Sequence, residues 1–389
     1  METPGQEVLG YLREHRRSLT RFLRRLALAE SPSTRPESQE EMLGILSEAL
    51  TELGFVARRI PGQSSGGHLY ARPVMRHTPA QLLLGHCDTV WPLGTLKEMP
   101  VEIEDGVVKG PGVYDMKGGM AQMVFALRAL RDLDLEPTVT PVVFVNSDEE
   151  VGSRESTRHI RRLSRLVERA FVMEPSLGPS GKLKTARKGG GRFSIVVEGQ
   201  SAHAGLDPEG GASAILELSY LIQALFALND PARGITVNVG TIDGGLSPNV
   251  IAPESRAVVD VRVPTHQDAR RVQESILSLE PVTPGVKLRI EGAMGRPPME
   301  RTPRNRKLWE TARRLGATLG LDLEECMAGG ASDGNTTSLF TATLDGLGAV
   351  GDGAHARHEF VYTDKMVERS ALLALLLMEP PLADRRSSS

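Results

Sequence analysis

An α/β fold with a smaller α+β domain inserted into it is what this sequence predicts, and three observations predict it. Up to about residue 175, near-continuous apolar runs of strand length alternate with amphipathic helical stretches. Such strands belong to an α/β layer architecture with a buried sheet. At "ARKGGGRFSIVVEGQ" the rhythm changes to strict polar–apolar alternation, the pattern of a sheet covered on one face only. From "RPPMERTPRNRKLWETARRLG" the first rhythm resumes. At 389 residues the chain exceeds one ordinary core. The first domain is therefore expected to be discontinuous, 1–187 and 297–389, with 188–296 inserted.

Each element has its local signal. Residues 5–29 and 37–53 carry apolar side chains at helical spacing. "FVARRI", "HLYARP" and "AQLLLGHC" read as strands, and Asp-Gly inside "VEIEDGVVKG" reads as a hairpin turn. A helix over 117–132, the strand "TPVVFVNS", a helix over 154–168 and the strand "RAFVMEP" follow. In the insert, three glycines (189–191) precede an alternating strand, the long helix "GASAILELSYLIQALFALN" and three further strands, a content that predicts an antiparallel sheet. The last helix spans 363–377, and the tail "ADRRSSS" reads as disordered.

Composition narrows the function classes. A net charge of −3 over this length gives no reason to expect nucleic acid or an anionic membrane as partner. No apolar run approaches the ~20 residues that cross a bilayer, and the amino-terminal stretch lacks the apolar segment of a secretory signal. Two cysteines, Cys87 and Cys326, make no disulfide framework, which fits a cytoplasmic protein.

The chemistry lies at the strand ends. In "LLLGHCDTV" an apolar strand finishes with His86 and Asp88 on one face and Cys87 on the other. Alone, this is a core histidine held by a carboxylate, or a metal-bound imidazole oriented by one. "GPGVYDMKGG" puts Asp115 in a glycine-rich turn before a helix, where it could also be a cap. "VVFVNSDEEVGS" ends the most apolar strand with Asp148, Glu149 and Glu150; "AFVMEPS" leaves Glu174 after another; "VGDGAHARHEF" places His355 in a loop. Each has a bland reading as a solvated or capping residue. Jointly they place metal-type ligands where an open α/β sheet gathers its ligands. Two histidines with three carboxylates do not describe a structural zinc site. They describe a two-metal hydrolase site in which one carboxylate bridges and one spare acid takes a proton from metal-held water.

In this order, "GHCDTV", "GPGVYDMKGG", "NSDEEVGS", "MEPS", "SAHAG", "NVIAPESRAVVDVR" and "GAHARHEFV" resemble the co-catalytic zinc peptidases and deacylases. That family includes glutamate carboxypeptidase, acetylornithine deacetylase, succinyl-diaminopimelate desuccinylase and aminoacylase. The resemblance covers essentially the whole chain. It implies a zinc-peptidase catalytic domain (a mixed, largely parallel sheet between helices) with an inserted α+β dimerisation domain, two zinc ions per subunit (cobalt or manganese as substitutes), and a homodimer. Asp115 would bridge the ions, His86 and Glu174 would complete one site, and Glu150 and His355 the other. Glu149 would be the general base and Asp88 the orienter of His86.

By the same resemblance, His203 of one subunit would stabilise the oxyanion in its partner's site. Asn249 and Arg262 would hold the substrate's free carboxylate, with Arg296 at the hinge as a further candidate. Arg262 also reads as a strand residue paired with Asp260, and His203 as a surface turn residue. The nearest likeness is to glutamate carboxypeptidase, where Lys182 would meet a glutamate side chain. "GGASDGNTTS" departs from the named enzymes and leaves the acyl side open. The expected reaction is hydrolysis, by a hydroxide bridging the metals, of the amide next to a C-terminal amino acid with a free carboxylate. The substrate would be a short peptide or an N-acyl amino acid. Deacylation of N-acyl amino acids is the second reading. A silent scaffold dimer is the third, and the full set of five ligands plus Glu149 argues against it.

Overall fold

In the computed structural model, which describes residues 4–75 and 79–382, the apolar runs assemble into one twisted sheet. Among the described residues its order is Phe55–Ile60, His68–Pro73, Thr140–Asn146, Ala80–His86, Arg169–Val172, Ala342–Leu344. The first two strands pair antiparallel, and His68–Pro73 is antiparallel to Thr140–Asn146. All pairings beyond that are parallel. Side-chain alternation sends each strand into two cores. Leu83, Val143, Val145 and Phe171 pack on one side with residues of helices Pro4–Glu14, Gln39–Glu52, Gly118–Asp132 and Thr363–Met378. Leu82, Leu84, Val142, Phe144 and Val172 pack on the other with Ile160 of helix Thr157–Leu166. Both faces are covered, which is why the strands read as unbroken apolar runs.

A small antiparallel sheet lies in the same unit, in the order Gly351–Asp352, Phe360–Tyr362, Val107–Lys109, Glu102–Glu104. Its Asp-Gly hairpin forms as expected. Asp105 and Gly106 have φ of +48° and +79°, the left-handed pair that matches strand twist in a two-residue turn. The single helix expected over 5–29 is instead two, Pro4–Glu14 and Arg16–Leu28, broken at His15. The His15 ring stacks on Tyr11 and its Nδ1 bonds the Tyr11 carbonyl, while the apolar spacing resumes beyond it. Spacing alone could not show the break.

The chain divides into two compact units. One comprises 1–185, 301–327 and 332–389; the other comprises 186–300 with 328–331. The short segment 328–331 therefore groups with the insert, although sequence rhythm placed it in the first domain. The second unit is a four-stranded antiparallel sheet, ordered Thr236–Gly244, Glu254–Val263, Gly189–Glu198, Lys287–Arg296. Helices Ala214–Phe226 and His266–Leu277 share its core. The second helix escaped the sequence reading because only Ala269, Val272 and Ile276 of its apolar side chains face inward. Its start is nevertheless marked, since the Thr265 hydroxyl accepts the Asp268 N–H. No described helix is long and apolar enough to cross a membrane. The tail "ADRRSSS" lies outside the described residues.

Candidate metal centre

The carboxyl ends of three neighbouring parallel strands meet at one place. His86 stands level with Asn146, and Leu84 with Val172. His86 ends its strand, Glu149 and Glu150 follow Asn146 through a tight turn, and Glu174 follows Val172. Two further segments come from the small sheet. Asp115 lies in the turn after Val107–Lys109, and His355 lies in the loop between Gly351–Asp352 and Phe360–Tyr362. The ladder between Phe360–Tyr362 and Val107–Lys109 brings these distant segments together.

Asp115 faces both histidines. Its Oδ1 is 3.3 Å from His86 Nε2 and its Oδ2 is 3.6 Å from His355 Nε2. Glu174 Oε1 lies 3.6 Å from His86 Nε2, and Glu150 Oε2 lies 3.1 Å from His355 Nε2. Donor atoms of His86, Glu149 and Glu174 fall within 4.8 Å of one another, as do those of His86, Asp115 and Glu150. His355 sits at φ +61°, a left-handed conformation that a side chain occupies at a cost.

These residues fit a bound cation. His86 Nε2, Asp115 Oδ1 and Glu150 Oε1 are buried, yet find no hydrogen-bond partner among the described residues. Orphaned buried polar atoms of one electronegative kind, clustered together, are what a metal ion satisfies. The electrostatics agree. The Asp115 and Glu150 carboxylates hold the His355 imidazolium up to about 10. Burial opposes charge on His86, but Asp115, Asp88 and Glu174 outweigh it and keep that imidazolium well above its usual range. Burial likewise opposes charge on Asp115, and the two imidazoles pull its carboxyl far down. Burial pushes Glu150 up. A potential negative enough to charge two imidazoles attracts divalent cations for the same reason.

The neighbours of these groups refine the sequence expectations. His86 Nδ1 is 2.9 Å from the Asp88 backbone carbonyl, a pure acceptor, so Nδ1 carries the proton and Nε2 turns its lone pair to the acids. The Asp88 carboxylate stands farther off, 3.5 Å from Nδ1. It accepts instead from the Ser33 hydroxyl at 2.7 Å and from the Glu149 and Glu150 N–H groups at 3.2 Å. Asp148 turns away and accepts the N–H groups of Glu155 and Ser156 at the start of the next helix.

The more distant candidates are differently placed. Lys182 pairs with Glu324 at 2.6 Å. Arg262 forks onto Asp260, Nε to Oδ1 at 2.8 Å and Nη2 to Oδ2 at 3.0 Å, the paired strand residue that its spacing also allowed. In the second unit, exposed His203 accepts the Gly205 and Leu206 N–H groups on Nδ1, which leaves Nε2 as the donor nitrogen of the neutral ring. Asn249 accepts the Ser247 hydroxyl on its side chain and the Ala204 N–H on its backbone. Arg296 ends the strand Lys287–Arg296 opposite Gly190.

Sequence reasoning passed over Glu359 and Trp91. Glu359 is fully buried, and burial pushes its carboxyl up to about 7 against the N–H groups that favour its charge. It stands four residues after His355, and the only local signal was an acid leading into a β-rich "EFVY" run.

The comparisons with known proteins follow this geometry. A family model described as peptidase family M20/M25/M40 matches residues 82–379. Carboxypeptidase G2 of Pseudomonas sp. (strain RS-16) is 27% identical over 343 residues, covering 86% of this chain and 82% of that protein. A succinyl-diaminopimelate desuccinylase of Bradyrhizobium sp. (strain ORS 278) is 30% identical over 275 residues, covering 65% and 69%. Among solved structures, aminopeptidase PepT from Bacillus cereus matches with a TM-score of 0.75 at 19% identity, over 93% of this chain and 98% of that one. A dinuclear metal-binding peptidase from Bacillus subtilis matches at 0.68 and 15%, over 94% and 98%. At these identities the solved structures show a shared fold.

Proposed function

This chain belongs to peptidase family M20/M25/M40, a family of metal-dependent hydrolases, and we propose that it acts as a glutamate carboxypeptidase-like enzyme. It would cleave the amide bond next to a C-terminal amino acid whose carboxylate is free. The observation that most supports this is the position of Asp115 between two imidazoles, each of which also faces a second carboxylate. In this reading Asp115, His86 and Glu174 would hold one zinc ion, and Asp115, Glu150 and His355 the other. When bound, the pair of ions polarises the scissile carbonyl and makes water ionisable near neutral pH.

The chain's own residues do the rest. Glu149 takes the proton of the attacking water and returns it to the departing amine nitrogen. Asp88 holds Glu149 and Glu150 by their backbone N–H groups. His203 donates from Nε2 to the developing oxyanion of a partner subunit in a homodimer. Asn249, Arg262 and Arg296 take up the substrate's free carboxylate, and Lys182 meets a glutamate side chain. Arg262 and Lys182 already hold Asp260 and Glu324, so each would meet the substrate with the N–H donors that its acid leaves over. Cys87 and Cys326 are not joined in a disulfide, which suits a cytoplasmic home.

The desuccinylase and deacetylase relatives favour a second reading, removal of a small acyl group from an amino acid. A hydrolysis screen on zinc-reconstituted protein separates the two. It would compare N-acetyl-, N-benzoyl- and peptide-capped glutamate, then vary the C-terminal residue. Highest kcat/KM on peptide-capped or N-benzoyl glutamate supports the carboxypeptidase. Highest kcat/KM on small acyl groups, whatever the amino acid, replaces it with the deacylase. No hydrolysis of any of these by metal-loaded protein rejects both.

A further inference from the structure

One buried acid lies outside the ligand set but reaches several of its segments. Glu359 Oε2 accepts Trp91 Nε1–H at 2.9 Å and the Gly112 N–H at 2.8 Å. Its Oε1 accepts the Tyr114 N–H at 2.9 Å and the Asp115 N–H at 3.0 Å. The side chain is 0% exposed. Packing alone would be met by an apolar side chain. A buried carboxylate persists only where fixed donors compensate its lost hydration, and here four do.

The donors are not scattered. Gly112, Tyr114 and Asp115 form the turn that carries the candidate bridging carboxylate. Trp91 follows Asp88 by three residues on the segment leaving the strand of His86. Glu359 itself closes the loop of His355, its own N–H bonded to the Ala356 carbonyl at 3.0 Å, and its carbonyl accepting the Gly110 N–H at 3.3 Å. One side chain thus ties together the segments bearing His86, Asp115 and His355.

We propose that Glu359 is a positioning residue of the metal centre: its carboxylate clamps the Gly112–Asp115 turn to the His355 loop and so sets where Asp115 presents its two oxygens. Without it, three N–H groups of the turn lose their acceptor, and the turn is free to rotate Asp115 off the line between the histidines. The clamp acts on geometry and touches neither substrate nor water. It rests on the reading of Asp115 as the bridging ligand.

The test uses the full-length protein, stripped by chelator and titrated with zinc chloride in a calorimeter. Glu359→Gln keeps the shape but turns an amide NH2 toward two N–H donors. Affinity for at least one zinc ion should fall about 10–100-fold, and kcat should fall with it while KM stays within about twofold. Trp91→Phe removes one donor of the four and should weaken zinc in the same direction by less. Asp115→Ala is the control. If Asp115→Ala keeps both ions, the reading of Asp115 as the bridging ligand fails, and the clamp's premise with it. If Asp115→Ala loses zinc while Glu359→Gln binds both ions as tightly as the unaltered protein, the clamp fails alone. Lowered thermal stability of Glu359→Gln with unchanged zinc affinity also overturns it, because the residue is then only structural. Should Glu359→Gln not fold, Trp91→Phe decides, and unchanged affinity for both ions in that variant rejects the clamp.

Discussion

The six-stranded sheet of the first unit and the four-stranded sheet of the second obey the same alternation and put their polar groups in different places. In Thr140–Asn146 all seven residues are buried, because helices cover both faces of the sheet. In Gly189–Glu198 burial alternates along the strand, because helices cover one face. A sheet covered twice meets solvent mainly beyond its strand ends, so reactive groups collect there, as His86, Glu149, Glu150 and Glu174 do. A sheet covered once can carry polar groups along its whole open face. Asp260 and Arg262, two positions apart, sit on that face and pair with each other. The first arrangement concentrates charge at one buried point, and the second spreads it over a surface.

That contrast predicts different consequences of mutation in the two units, the severest at the proposed bridging position. Asp115→Ala should strip the metal and with it the activity, since two cations ~3.5–4 Å apart need a shared anion. Elemental analysis of the purified variant checks this, and two tightly held ions would mean that another residue bridges. Next, Glu149→Gln should lower turnover ~10²–10⁴-fold while metal content stays as in the unaltered protein. Near-normal rates would remove Glu149 from proton transfer.

A change in the second unit should behave otherwise. His203→Ala is expected to cost ~10²–10³ in kcat, as loss of an oxyanion donor does, with no loss of metal. Mixing it with Glu149→Gln chains should restore activity in heterodimers, where one site has both its own base and an intact histidine from the other chain. If subunit exchange is verified and no activity returns, donation between subunits is ruled out. Metal loss in His203→Ala would break the division between the units altogether.

The mildest test concerns stability. Phe144→Ala, in the doubly covered sheet, should cost ~3–5 kcal/mol of unfolding free energy. Ser194→Ala, on the open face, should stay within ~0.5 kcal/mol. Denaturant titration of both variants compares them, and equal losses would mean that the open face is covered in solution.

Much of the candidate site was legible because its signals are local. An apolar run that ends in His, Asp or Glu announces a strand end with ligand chemistry, and His86, Glu150 and Glu174 stand where such runs stop. The Asp-Gly hairpin and most helices were equally plain, since a turn or a 3.6-residue period is written in neighbouring residues. Other features came only from tertiary contacts. Asp88 gives its carbonyl to His86 and its carboxylate to Ser33 and the Glu149–Glu150 backbone. Asp148, a third acid in the same run, instead serves the start of a helix.

The sequence by itself determined which residue types stand at the ends of which strands, because burial periodicity is a property of each segment alone. The tertiary structure decided which of them face one another and which partners they keep. It brought Asp115 between two histidines, gave Lys182 to Glu324, and placed the Glu359 carboxylate under the N–H groups of a turn more than two hundred residues earlier in the chain. A hydrogen bond between distant segments leaves no period and no fixed spacing behind it, so only the folded chain can show it.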